Sequence, residues 1–421
     1  MIAITKNNYR INSEHLFMIS ALLVNGGNYI YNLLLGRILG PEKFADAAIM
    51  ITFLLVFSFV AMTFQLVTAK FSVIFEQKIL KSFIYKMNRI AVISGVVLGI
   101  AIVYYSKGLQ LFFKTTTSNM FVIFGVGVPL YFLMSINRGF FQGKKKFGAL
   151  AVTYQLEMIS RLVFTLILLY FLEIDSSILI AIGIFCSFLF GLIPFKIQKI
   201  KPIKEIKLSV SQRKMIRSFF LITVFYELTQ IIINNSDILL VKHYFETYDA
   251  GLYASLALIG RVVYFVTWMF VMLLLPKVVQ LKKEGKPTRS ILLKNVGYIS
   301  LLIVVLVAVC SLFPKEVVLI LFGKDYIAIA PLLWKYALAT GVFAISNVFA
   351  YYYLSLDKYI PVVASGIFGL LQIIFIVLYH NTLGQVVNMQ ILAMTLLLSL
   401  QLSYFLLRDT KKPTTSKHKY H

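Results

Sequence analysis

Apolar residues in this chain gather in long runs separated by short polar connections. A helix needs about 20 mostly apolar residues to cross a hydrocarbon core. On that criterion the sequence predicts twelve spans, at approximately residues 13–35, 44–69, 90–112, 119–140, 149–172, 175–196, 217–241, 250–276, 294–313, 328–353, 359–380 and 386–407. Glu173, Ile174 and Asp175 alone part the fifth span from the sixth, which makes those two an antiparallel hairpin. The segment 197–217 is the longest and most basic connection and falls near the middle of the chain. The predicted fold is all-α: a polytopic membrane protein of about twelve transmembrane helices in two pseudo-symmetric six-helix lobes. The lobes are residues 1–200 and 217–421, joined by a basic cytoplasmic linker over 201–216.

Composition agrees with that reading. With 59% of residues hydrophobic, 14% charged and a mean hydropathy of +0.85, the chain lies outside the soluble range of roughly 45–50% apolar and about 25% charged. A net charge of +24 raises nucleic acid as a partner, but no soluble stretch is long enough to fold alone and present a basic surface. Topology accounts for the charge instead. With the N-terminus inside, 31 of the 41 bases fall on the cytoplasmic side and 8 outside, while Arg161 and Arg261 lie within spans. This positive-inside asymmetry puts both termini in the cytoplasm and makes anionic inner-leaflet lipids natural neighbours. The first span follows Lys6 and Arg10, is too long for a signal-peptide core and lacks a small-residue cleavage site, so it is read as retained. Segment 70–89, with Phe71, Ile74, Phe75, Ile79 and Phe83 on one side and Lys78, Lys81 and Lys86 on the other, reads as an amphipathic helix lying on the inner leaflet. Cys186 and Cys310 sit inside apolar runs, which leaves no disulfide framework or metal cluster to argue from.

Six plus six spans imply features repeated at about half the chain length. Leu34, Leu35 and Arg37 at the end of the first span are echoed 205 residues on by Leu239, Leu240 and Lys242. Phe141, Lys146 and Phe147 are echoed 212 residues on by Tyr353, Lys358 and Tyr359.

Polar side chains inside spans are costly and face a cavity, the bundle interior or a partner. Glu157 and Arg161, at i and i+4, share a face of the fifth span, and both a structural ion pair and a transport role are open to them. Glu227, Gln230, Asn234 and Asp237 draw one stripe along the seventh span, expected to line water. Asn25, Asn28 and Asn32 repeat the pattern in the first span, where hydrogen bonding between helices explains them as well as substrate binding does. Arg261 lies about eleven residues into the eighth span with no acid within a turn. A guanidinium there suits Glu227 or Asp237 on the preceding helix, or a substrate phosphate, and the phosphate is slightly favoured. Arg37 and Lys242 flank the outer span ends. Glu157, Glu227 and Asp237 are the buried acids able to carry a proton or hold Na⁺, and Glu227 sits deepest.

Enzyme chemistry finds little to stand on. His15, His243, His380, His418 and His421 are terminal or at span ends, and no glycine-rich phosphate loop follows a strand. The external connections are too short for a glycosyltransferase or polymerase domain, which leaves only a small transferase site at span ends. No cofactor is expected.

Three segments resemble a known family. Arg138 and Gly139, then Gln142, Gly143 and Phe147, look like the arginine, glycine, x, x, glutamine, glycine segment of the Wzx-like oligosaccharide flippases in the multidrug, oligosaccharidyl-lipid and polysaccharide (MOP) exporter superfamily. Asp237 to Lys242, followed by Ala250 to Ala254 and by Gly260 and Arg261, is similar to that family's seventh and eighth spans. Phe322 to Tyr326 is similar to its glycine and tyrosine turn before the tenth span. The resemblance implies an undecaprenyl-pyrophosphate-linked oligosaccharide carried across a bacterial inner membrane by alternating access, with a glycan polymerase or glycosyltransferases as neighbours. Arg261, Arg37, Lys242, Asn25, Asn28, Asn32 and Asn234 are the expected substrate contacts. The related lipid II flippases have fourteen spans, two more than counted here. The twelve-span, ion-coupled drug antiporters of the superfamily are the alternative, and a scaffold for glycan assembly is the third reading.

Overall fold

A computed structural model of the chain describes residues 13–194, 209–356 and 358–409. Every regular element among the described residues is helical, in the order α1 (Ser13–Ile74), α2 (Gln77–Tyr104), α3 (Ser106–Phe113), α4 (Asn119–Gly143), α5 (Phe147–Phe171), α6 (Ser176–Gly191) and α7 (Val210–Tyr244). There follow α8 (Thr247–Lys283), α9 (Arg289–Leu312), α10 (Pro314–Leu321), a 3₁₀ helix η1 (Lys324–Leu332), α11 (Leu333–Ser355), α12 (Ile360–Leu378) and α13 (Leu383–Asp409). All twelve predicted spans overlap these helices, though the sixth runs past the end of α6 at Gly191. Nine helices among the described residues are long and apolar enough to cross a membrane, and the chain is a multi-pass membrane protein. The first two spans share one 62-residue helix, kinked at Gly40 with φ 70°. Only glycine takes that backbone angle without strain, and Pro41, with no N–H to offer, starts the second half.

The chain divides into two compact units: unit 1 is Met1–Leu39 with Asp46–Leu228, and unit 2 is Gly40–Ala45 with Thr229–His421. All three crossings occur within helices, two on either side of the α1 kink segment Gly40–Ala45 and one between Leu228 and Thr229 of α7. In unit 2 the kink segment is anchored by Phe44, whose ring lies 5.8 Å from Phe322 and 6.3 Å from Tyr326. Between those two aromatics Gly323 takes φ 101°, which explains the glycine of the predicted turn. Of the expected linker, residues 201–208 lie outside the described residues, and α7 begins at Val210. The two chain ends, on which the expected orientation turns, also lie outside them.

Within unit 1, helix α2 has two contrasting faces. Ile93, Val97, Ile100 and Tyr104 are exposed at spacings 4, 3 and 4 and form a lipid-facing stripe. Gly95 and Gly99 lie on the other side, where a Cβ would run into Pro129 and the Gly125 carbonyl of α4. Small residues at this spacing let two helices approach closely where water supplies no driving force. Two eight-residue helices, α3 and α10, recur at an offset of 208 residues, between the two offsets of the sequence echoes.

One expectation fails. Segment 70–89 is no surface helix, because α1 runs on to Ile74 and α2 starts at Gln77. Phe71, Phe75 and Phe83 are buried against one another, with ring centroids 5.2–5.6 Å apart. Phe219 of α7 joins Phe71 at 6.3 Å, and the Lys70 ammonium sits over the Phe219 ring at 3.7 Å. The three aromatic residues of the apolar face meant for a membrane surface are instead consumed by packing at the joint of two spans, while Ile74 stays exposed.

Candidate functional site

The interior of unit 1 holds a charged cluster built on α5. Thr153, Glu157, Arg161 and Thr165 recur every fourth residue and are all buried, while Val152, Ile159, Val163 and Ile167 are exposed on the opposite side. Arg138 of α4 donates from Nη2 to Glu157 Oε2 at 2.7 Å, from Nε to Thr153 Oγ1 at 3.1 Å and from Nη2 to the Thr153 carbonyl at 2.9 Å. Its guanidinium also stacks on the Tyr154 ring at 3.9 Å. Arg161 reaches the other carboxylate oxygen of Glu157 at 3.6 Å and donates to Asn28 Oδ1 on α1. Tyr31, one turn after Asn28, lies under Arg161 at 5.5 Å and bonds Thr165 at 3.3 Å. Two guanidinium groups therefore share one carboxylate, and no second acid joins them among the described residues. The cluster carries a net positive charge inside the membrane-spanning part, where an uncompensated charge is expensive.

The Arg138 to Gly143 segment is explained by what it packs against. A Cβ on Gly139 would strike the Gln65 carbonyl, and one on Gly143 the Ala69 carbonyl, so α4 lies directly on the second half of α1. At that crossing Gln65 donates to Gln142 Oε1 at 2.9 Å, and the Tyr154 hydroxyl donates to Gln65 Oε1 at 3.1 Å. The glycines bring the helices together, the glutamines tie them, and the arginine delivers its charge to α5.

Unit 2 has a polar interior of its own. Asp237, only 1% exposed, accepts from the Tyr253 hydroxyl at 3.1 Å and the Tyr336 hydroxyl at 2.7 Å. Next to Tyr336 a cleft opens among α7, α11, α12 and α13, with Asn234, Gln372 and Gln390 in its lining. Its apolar wall, from Ile233, Phe343 and Met394, belongs to a packed cluster that also takes in Ala393 and Leu397.

The predicted residues distribute unevenly over these features. Asn28 joins the charged cluster, Asn32 is half-buried, and Asn25 is exposed, so the three asparagines do not share one environment. Glu227, 7% exposed, makes no hydrogen bond or ion pair with any described residue. Arg37 is exposed, whereas Lys242, expected at the outer mouth, is 2% exposed and donates to Thr247 Oγ1 at 3.5 Å. Arg261 lies on α8, and its side chain is outside the described residues. Arg138 is the partner that sequence reasoning missed. A base just past an apolar run reads as a cytoplasmic anchor, though its place at the head of the glycine and glutamine segment is a usable signal.

A sequence model for the family described as polysaccharide biosynthesis protein matches residues 34–331. The chain belongs to this family. No curated protein sequence matches it. Solved structures of the MOP superfamily match this family member over nearly its whole length. An inward-facing multidrug resistance MATE family transporter superposes with TM-score 0.75 at 13% identity, over 92% of this chain and 96% of that one. The lipid II flippase MurJ in an inward closed conformation gives TM-score 0.71 at 17% identity, over 94% and 88%. A MOP superfamily transporter from Pyrococcus furiosus, reported with a binding pocket of reversed polarity, gives 0.56 at 13% identity, over 94% and 93%. At these identities the likeness establishes the fold: this polysaccharide biosynthesis family member has the architecture of MOP superfamily transporters.

Proposed function

We propose that the chain is a flippase for undecaprenyl-pyrophosphate-linked oligosaccharide, an O-antigen, capsule or exopolysaccharide unit, in a bacterial inner membrane with both chain termini cytoplasmic. The observation that carries this reading is the buried excess of guanidinium over carboxylate around Glu157. A pyrophosphate is a dianion or more and binds arginine through paired hydrogen bonds, whereas a pocket for cationic drugs needs the opposite charge. Membership of the polysaccharide biosynthesis family supports the glycan half of the reading. The lobes 1–200 and 217–421 would rock about the linker, with Arg261, Arg37, Lys242, Asn25, Asn28, Asn32 and Asn234 as substrate contacts.

Deletion of the gene tests it. The expected result is accumulation of undecaprenyl-linked oligosaccharide inside and loss of surface glycan, reversed by the wild-type gene but not by Arg261→Ala. Arg261→Lys is expected to restore export only weakly, since an ammonium keeps the charge and loses the fork. Unchanged glycan with new sensitivity to cationic dyes would favour the ion-coupled antiporter of the same fold.

Energy is assigned to an ion gradient acting at Glu227, a buried acid with neither a hydrogen bond nor an ion pair to a described residue. Asp237 is held by two tyrosines, and Glu157 by two arginines, so an ion would have to displace those groups first. Glu227→Gln keeps shape and hydrogen bonding but cannot titrate. Its export rate is expected to fall and to lose its dependence on external pH or sodium, measured in inverted vesicles. Wild-type flux with unaltered ion dependence would remove Glu227 from the mechanism.

A further inference from the structure

The cleft in unit 2 is distinct from the charged cluster and has a different chemistry. Among the described residues its lining carries no charged side chain: amides come from Asn234, Gln372 and Gln390, and rings from Tyr336 and Phe343. Gln390 on α13 is the informative residue. It is 5% exposed, borders the cleft and makes no hydrogen bond to any described residue. Its amide is not sealed inside the fold but faces the cleft, where water or a ligand must satisfy it. Gln372 spends its amide hydrogens on the Ile233 carbonyl at 3.3 Å and Ser236 Oγ at 3.2 Å, which leaves its Oε1 available to a ligand. The cleft thus offers donors and acceptors side by side, with aromatic walls.

That combination selects the ligand. A phosphate would find no cation among the described lining residues, and a bare cation would find only neutral oxygens there. A pyranose ring has hydroxyls at its edge that both donate and accept, and C–H faces that pack on aromatic rings. We infer that the cleft is a subsite for one sugar residue of the transported glycan, an inference that rests on the flippase reading above.

Binding to the purified full chain in nanodiscs tests the subsite directly. The probes are the host's repeat-unit oligosaccharide, cleaved from its lipid by mild acid, and undecaprenyl pyrophosphate without sugar. Gln390→Leu fills the same space without hydrogen bonding. It is expected to weaken oligosaccharide binding by about tenfold, the scale of one lost hydrogen bond, with undecaprenyl pyrophosphate binding unchanged. Its melting temperature should match that of wild type, because leucine fills the same space and the amide has no hydrogen bond to a described residue to lose. Gln390→Asn, which keeps the amide, should bind the oligosaccharide better than the leucine variant. Absence of oligosaccharide binding to wild type, equal binding by Gln390→Leu, or a lowered melting temperature in that variant would each overturn the subsite. Intact surface glycan in the deletion strain would instead refute the flippase reading, and it leaves the result on purified protein to be judged by itself.

Discussion

Glu157→Gln protein, solubilised in detergent, will melt far below wild type. The substitution preserves size and leaves one oxygen for Arg138 to meet, but it removes the negative charge that two buried guanidinium groups share. Taking one partner from a buried ion pair costs about 3–5 kcal/mol, because the remaining charge is left unpaired where water cannot reach it. Here two charges are left. The sign of a second change follows by counting charge: Arg138→Met alone removes one positive group and makes Glu157 and Arg161 a balanced pair. Arg138→Met combined with Glu157→Gln returns the site to the wild-type net charge. The double variant should therefore recover part of the stability lost in Glu157→Gln. Thermal melting of the three variants checks this, and equal melting of Glu157→Gln and wild type would mean that the cluster is solvated. Glu157→Asp, which keeps the charge on a shorter stem, should melt between Glu157→Gln and wild type.

Replacing Gly139 and Gly143 with alanine together is expected to disable the protein by geometry alone. Each new methyl group would press on a backbone carbonyl, of Gln65 and of Ala69, and on the side chains of Thr68 and Ser72. Backbone cannot step aside as a side chain can, so α4 and the second half of α1 would be pushed apart. Overpacking of this kind costs about 1–3 kcal/mol per site. The separation also stretches the hydrogen bond from Gln65 to Gln142, now 2.9 Å, and tilts Arg138 away from α5. Gly148, the second residue of α5, supplies the control, because a methyl group added there would meet nothing within 4 Å. Gly148→Ala should express and melt like wild type. Folded yield from size-exclusion chromatography separates the two outcomes, and a monodisperse, fully stable double variant would contradict the tight crossing.

How much of the structure is legible in the sequence depends on how far apart the participants lie in the chain. Membrane spans declare themselves within a 20-residue window, and all twelve overlap helices. Glu157 and Arg161 are visible as a pair because i and i+4 meet on any helix. Arg138 is not, since 19 residues and a turn separate it from Glu157, and a base just after an apolar run looks like a cytoplasmic anchor. Asp237 stands near a span end, where a carboxylate signifies less, but its tyrosines lie 16 and 99 residues away, beyond any local pattern. The break at residues 75 and 76 escapes for the opposite reason: the local amphipathic pattern is real, and the aromatic side chains find partners in the neighbouring spans.

Helix α2 has a property that its composition would not suggest. Its lipid stripe, Ile93, Val97, Ile100 and Tyr104, asks only for apolar side chains, so many sequences would serve there. Its glycine face, with Gly95 and Gly99 against α4, accepts almost none. The two faces are separated only by rotation, and each residue advances a helix by about 100°. Adding a single alanine after Val92 would therefore rotate all that follows by about 100°, swing Ser94, Leu98 and Ala101 onto α4 and turn the glycines toward lipid. The helix is forgiving of spelling and strict about length, so homologous chains should vary freely along this stripe while keeping the number of residues between Ala91 and Ile102 fixed.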